Sequence, residues 1–484
     1  MNTHCLSVFI DELSKIAKVT TTLLPHQSRV VERLKEDDQP GLIAVHNLGS
    51  GKTLTSIAAQ DELGIPTTVV LPASLQENYR KEIEKHTKGG DSPSIVTLQR
   101  MARSGAPDEP GFLIVDEAHR LRDPNTQSHR AIRDNKATKR LLMTASPFYN
   151  RPFDLAPLVN IAAGSNVFPN DQSSFDKKYI SEEKVYPSLL NQILGVKPGV
   201  EYSLNLKKKE ELQGLMRKWV DYHLGDKEGL PDVHHSVIEV PMTPFQLELS
   251  DVMMKKAPLS VRLKIKAGLP PSKSESRQLN SFLTASRQIA NTTAPFSTRN
   301  KVDQPKIDKA FENLKSSLDS NDRAKAVVYS NYLEAGVTPF REKLESAGIP
   351  YGEFTGDMPK KKRDEMVKDY NDGKIRTLLI SSAGGEGLDL KGTRLVQLLE
   401  PHWNEEKLRQ VAGRGVRYHS HAHLPKEERN VEVQTYLSTR PVSGILERLK
   451  LMKPGFSTDQ YMHGMSKAKA DLNQQFRDLL GTLA

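Results

Sequence analysis

The sequence predicts an α/β protein of two parallel-sheet lobes with a mainly helical insertion between them. Three observations carry this expectation. Short apolar runs alternate with helical patterns over the first 150 residues, the same rhythm returns near the other end, and the stretch between them reads mostly as helix. Apolar runs of four to seven residues that end at polar or glycine-rich segments are how buried parallel strands feed loops in an open sheet.

In the first lobe the runs are LIAV at 42–45, TTVVL at 67–71, FLIV at 112–115 and RLLM at 140–143. In the second they are AVVYS at 326–330, TLLIS at 377–381, RLVQLLE at 394–400 and VEVQTYL at 431–437. The expected organisation is an N-terminal helix over 1–20, a first lobe over 21–150 and a mostly helical region over 151–300. A second lobe over 301–445 and a helical segment over 446–484 complete it. Phe9, Leu13 and Ile16 fall on one helical face, either packed on the first lobe or docking a partner. The middle region carries the cluster Lys207, Lys208 and Lys209, and Gly268 to Ser276 reads as a loop.

At 484 residues the chain has room for several domain-sized cores. A single cysteine, Cys5, rules out an internal disulfide framework and a cysteine-rich metal site. The opening MNTHCLSVFIDELSKIAK lacks a basic start followed by an apolar run, and no stretch approaches the roughly 20 apolar residues of a membrane span. The expectation is therefore an intracellular, cytoplasmic protein without a membrane partner. Lys and Arg number 69 against 60 Asp and Glu, a net charge of +9 compatible with a polyanionic partner.

Chemistry concentrates at strand ends, where ligands bind in such sheets. "HNLGSGKT" at 46–53 follows the first strand. Gly49 and Gly51 let backbone N–H groups of the loop, Ser50 included, turn toward phosphate oxygens. Lys52 can reach the β and γ phosphates of ATP, and Thr53 can ligate Mg²⁺ as the next helix starts. His46 stands where glycine is usual, but at the loop's entry, where a side chain need not meet phosphate. "DEAH" follows FLIV: Asp116 is placed to hold the metal and Glu117 to orient or deprotonate the attacking water. Gln27, in "LLPHQ", supplies an amide that could read the adenine edge or simply be solvated. The hydroxyls of "MTASP" at 143–147 either join the acidic pair to the other lobe or form a turn.

Phosphoryl transfer also needs positive charge opposite the developing negative charge. "QVAGRGVR" holds Gln410, Gly413, Arg414 and Arg417, the two arginines three residues apart and on one helical face, which either supplies this charge or is simply solvated. "SSAGGEGLDL" at 381–390 is a second glycine-rich strand end. Either the backbone near Gly387 approaches a ligand closely and Asp389 contacts ribose or the water network between lobes, or the segment is simply a tight turn without contacts.

These pieces, in this order, resemble the superfamily 2 helicases and translocases over roughly residues 20–445. The details look most like the SWI/SNF-type remodelling ATPases and the helicase-like nucleoside triphosphatases of large DNA viruses and phages. The remodelling family's phosphate loop reads DEMGLGKT, so its first position is not glycine either. "LPASLQENYRKEI" at 71–83 is similar to a family segment that has Trp where this chain has Tyr79. "FPNDQSSFDKKY", "LPDV", "VPMTPFQ" and "SRQIAN" resemble its inter-lobe region in order, and "EPHWN" at 400–404 its turn before the last motif. After "GRGVR" the chain departs from the remodellers and is more similar to the viral proteins, as is the tail from Ser457.

The resemblance implies two RecA-like lobes that hydrolyse ATP with Mg²⁺ in the cleft between them, Arg414 and Arg417 reaching the γ phosphate on closure. It implies nucleic-acid contacts from Ser74, Ser330, Thr355 and Ser382. Contacts to the phosphate backbone carry no sequence information, which suits a motor moving along any sequence. Lys360 to Arg363 either adds electrostatic attraction or forms a solvated helix face. A DNA translocase stimulated by duplex is the first expectation. A strand-unwinding or branch-migrating helicase on DNA, single strands or RNA is the second, and a transcription-associated ATPase acting on a polymerase partner the third. A binding module with a dead site would need Lys52, Asp116, Glu117 or Arg414 lost, and all four are present.

Overall fold

The computed structural model describes residues 18–47, 49–88, 92–104, 110–223, 225, 230–272, 275, 279–297, 302–354, 356, 358–382, 388–402, 413, 420–442 and 455–482. The chain divides into two units. The first comprises 1–181, 203–226 and 471–484, the second 182–202 and 227–470.

In the first unit six parallel strands form one sheet, in the order Val220–His223, Gly41–His46, Lys139–Thr144, Phe112–Val115, Thr67–Val70 and Ser94–Val96. Side chains alternate between its two faces. Ile43, Val45, Leu113, Val115 and Leu142 enter one buried cluster, while Leu42, Ala44, Phe112, Ile114, Leu141 and Met143 enter another. A strand buried on both faces gains from an apolar residue at every position, hence the unbroken runs in the sequence. Helices cover both faces: Pro25–Lys35 and Lys52–Leu63 pack in the second cluster, and the wholly buried Leu155–Ala163 in the first.

The second unit repeats the plan, with parallel strands in the order Asp232–Pro241, Asn430–Thr439, Thr393–Leu398, Lys325–Ser330, Thr377–Ser381 and Tyr351–Phe354. Val327, Tyr329, Leu378 and Ile380 enter one cluster, and Ala326, Val328 and Leu379 the other. The two-lobed α/β architecture expected from the rhythm is therefore present.

All eight expected strands occur within one or two residues of their predicted bounds. The four unforeseen members of these sheets are Ser94–Val96, Val220–His223, Asp232–Pro241 and Tyr351–Phe354, and all four are sheet edges. Three of these edges are only partly buried, and the fourth, Val220–His223, is buried but short and interrupted by Asp221, so none shows an apolar run. Two of the four lie in the region read as mostly helical, which besides its helices supplies an edge to each sheet and a two-stranded sheet, Ile180–Val185 with Gly199–Leu204. Residues 1–17 of the expected N-terminal helix lie outside the described residues, and Lys18–Val19 pairs as a strand with Thr87–Lys88. The C-terminal segment contains a 24-residue helix, Thr458–Gly481. Among the described residues no helix is long and apolar enough to cross a membrane.

Candidate active site

The strand Gly41–His46 is buried along its whole length and delivers the chain into the loop at Asn47. Gly49 and Gly51 have φ of 82° and 76°, left-handed conformations that suit glycine. A Cβ on Gly51 would also collide with Nε2 of Gln27. Gly51 caps the helix Lys52–Leu63, whose first N–H groups lack intrahelical partners and present the positive end of the helix dipole. This geometry suits a phosphate.

Lys52 Nζ donates to the carbonyls of His46 and Asn47, 3.0 Å from each. Burial lowers its pKa, and the charges of Asp116 and Glu117 oppose that shift. Both acids follow the central strand Phe112–Val115, and Asp116 N–H continues the ladder to Val70 O at 2.9 Å. Glu117 is the one non-glycine residue with positive φ among the described residues, at 50°. Such a conformation costs of order 1–3 kcal/mol and is typical of functional positions. Its N–H donates to Asp116 Oδ1 at 2.8 Å.

The two carboxyls differ electrostatically. Burial and the adjacent Glu117 push Asp116 up to about 6, against the pull of Lys52. Burial raises Glu117 too, but His119, whose Nδ1 lies 3.2 Å from Oε2, together with Lys52 and Arg120, outweighs burial and leaves its pKa below the ordinary value. Glu117 is thus a carboxylate at neutral pH, able to accept a proton. His119 stacks on Tyr149 at 5.7 Å, with Arg122 on the same ring. The hydroxyl of Thr53 and the carboxylate of Asp116 are hard oxygen donors of the kind that would hold Mg²⁺.

Gln27 is buried, and its amide belongs to the loop: Nε2 donates to Ser50 O and Gly51 O at 3.1 and 3.3 Å, and Oε1 accepts from Leu24 N–H. It therefore braces the loop at 46–53. Ser50 Oγ closes the turn on Asn47 O at 2.8 Å. Tyr79, the residue in the family's Trp position, is buried with its hydroxyl 2.9 Å from Ser56 on the helix behind the loop. In "MTASP", Thr144 is buried and its hydroxyl accepts from Ser146 N–H, the geometry of a turn.

Ser74 is exposed just beyond the strand Thr67–Val70, and Ser382 is exposed just beyond Thr377–Ser381. Ser330 differs: it ends its strand in the interior, its hydroxyl hydrogen-bonded to the buried Glu400 and to Tyr332 O. No exposed hydroxyl is left there for a nucleic-acid contact. Asp389 is exposed, its carbonyl accepting from Asn371. Thr355, Gly387, Gln410, Arg414 and Arg417 lie outside the described residues. Sequence reasoning missed His26, Arg29 and Asp221, which surround His46 at the base of the loop.

Two domain families match the chain, the SNF2-related domain over residues 108–294 and the helicase conserved C-terminal domain over 308–419. A putative ATP-dependent RNA helicase, L538 of Acanthamoeba polyphaga mimivirus, is 30% identical over 472 residues, covering 94% of this chain and 96% of its own length. The chain belongs to the SNF2-like helicases of superfamily 2. A second relative of this SNF2-like helicase is the termination factor NPH-I homolog of African swine fever virus, 25% identical over 91% of this chain and 75% of its own. Among solved structures, the Sulfolobus solfataricus SWI2/SNF2 ATPase core in complex with dsDNA is 18% identical and covers 96% of this chain and 97% of its own, with a TM-score of 0.37. Membership makes this chain a nucleic-acid-dependent ATPase.

Proposed function

We propose that this SNF2-like ATPase is a motor that translocates on duplex DNA, coupling hydrolysis of magnesium-bound ATP to movement without obligatory strand separation. The observation that carries the chemistry is the pairing of a glycine-built phosphate loop with Asp116 and Glu117, whose charges act on Lys52. In this reading the loop and Lys52 hold the β and γ phosphates, Thr53 and Asp116 hold Mg²⁺, and Glu117 takes the proton of the attacking water. The metal's contribution is to neutralise phosphate charge. To Arg414 and Arg417 this reading assigns the cation that stabilises the transferred phosphoryl group, and to Gln410, Gly387 and Asp389 further parts in nucleotide binding and hydrolysis. Ser74, Ser382 and Thr355 contact the nucleic-acid backbone.

The preference for duplex is supported by the SNF2-related match over the middle of the chain. The names of two relatives, a putative ATP-dependent RNA helicase and a termination factor homolog, favour a second reading, an ATPase acting on RNA or in termination; a polymerase partner and the host cytoplasm belong to that reading as proposals. Displacement of a third strand from a DNA triplex separates the readings. ATP-dependent displacement supports translocation on duplex. Unwinding of RNA or single-stranded-tailed substrates, with no triplex displacement, favours the second.

A further inference from the structure

His46 has a defined place in this site. Its ring is fully buried, and Nε2 lies 2.7 Å from Oδ1 of Asp221, itself buried on the edge strand Val220–His223. Arg29 grips the same carboxylate, Nε to Oδ2 at 2.6 Å and Nη2 to Oδ1 at 3.1 Å. Arg29 belongs to the helix Pro25–Lys35, which also carries His26 and Gln27. His26 Nε2 donates to Ser50 O at 2.8 Å, where the loop ends. Where the loop begins, Asn47 N–H donates to His223 O at 3.1 Å. The rings of His26 and His223 stack at 3.8 Å and 9°, joining loop exit to loop entry, and His46 sits edge-on to both at 5.3 and 5.7 Å.

Two observations separate this cluster from ordinary core packing and from a metal site. Nδ1 of His46 is buried without a hydrogen-bond partner among the described residues, a cost that an aliphatic filler would avoid. The imidazoles stack on one another, and among the described residues no group of three or more His, Cys, Asp or Glu could hold a metal.

We infer that His46 and Asp221 are positioning residues for ATP: with His26 and Arg29 they fix both ends of the phosphate loop, so that its N–H groups are set before nucleotide arrives. This rests on the nucleotide-site reading above. A loop displaced by about 1 Å can lose up to about a hundredfold in rate.

The test is steady-state ATP hydrolysis with duplex DNA, separating KM from kcat, alongside the melting temperature of each variant. His46→Gly, which restores the usual loop glycine, should raise KM for ATP about tenfold with a smaller fall in kcat. Asp221→Asn is isosteric and should do the same, which keeps the test decisive if His46→Gly does not fold. His46→Gln, whose amide can still donate to Asp221, should hold KM near the parent value. Unchanged KM in both His46→Gly and Asp221→Asn would overturn the inference, as would a His46→Gln variant no better than His46→Gly. Lys52→Ala distinguishes the failures: turnover retained there sinks the nucleotide-site reading itself, whereas turnover lost there with KM unmoved in the other variants sinks only the positioning role.

Discussion

In the proposed reading, Lys52, Gly51 and Glu117 each set one part of the chemistry. Replacing Lys52 by alanine removes the one side-chain cation of the loop and should reduce turnover by at least about two orders of magnitude while circular dichroism stays unchanged. Gly51→Ala has a different mechanism, because φ of 76° and the adjacent Gln27 amide both oppose a Cβ. We expect about 1–3 kcal/mol lost from stability and weakened ADP binding in calorimetry; parent-like binding and melting would show the loop to be more plastic than its geometry implies. The shape of this loop was legible in the sequence, because glycines at fixed spacing before a helix start are encoded in consecutive residues. The partners of His46 were not. Asp221 is 175 positions away, in a four-residue edge strand with no apolar pattern, and only the fold brings them together. Ser330 is the converse: the family resemblance implied a nucleic-acid contact there, yet its hydroxyl is hydrogen-bonded to the buried Glu400.

At the scale of elements, the central strands could be read because burial on both faces demands apolar residues throughout, and the edges could not because that demand lapses. The second unit contains another element-scale device that no pattern announces. Lys306, on the helix Pro305–Ser320, meets Asp459, at the start of the helix Thr458–Gly481, at 2.6 Å with both side chains fully buried. Asp459 also accepts from Ser438 N–H at 3.0 Å, on the strand Asn430–Thr439. Removing one partner leaves the other charge buried alone. Lys306→Met should therefore cost about 3–5 kcal/mol in urea unfolding, and a change below 1 kcal/mol would mean that water reaches the orphaned carboxylate.

For the whole molecule, acid sensitivity follows from buried imidazoles in both units. Burial holds His46 and His129 in the first unit, and His421 in the second, below their ordinary pKa of 6.5. The unfolded chain binds these protons near pH 6.5, the folded chain only at lower pH, so the unfolded state holds more protons and stability falls as pH drops below that value. Asp116, raised to about 6, takes up a proton in the folded state over the same range and opposes this in part, so the melting temperature should decrease by a few degrees between pH 7.5 and 5.5; a flat or rising profile would contradict this. With a net charge of +9, nucleic-acid affinity should fall steeply with salt as condensed ions are released. The most direct test of the account is steady-state ATP hydrolysis by the whole chain, alone and with duplex DNA, single-stranded DNA or RNA, with Lys52→Ala as control. Strong stimulation by duplex, absent from the control, is the predicted result. Hydrolysis indifferent to every nucleic acid, or surviving in Lys52→Ala, would contradict it.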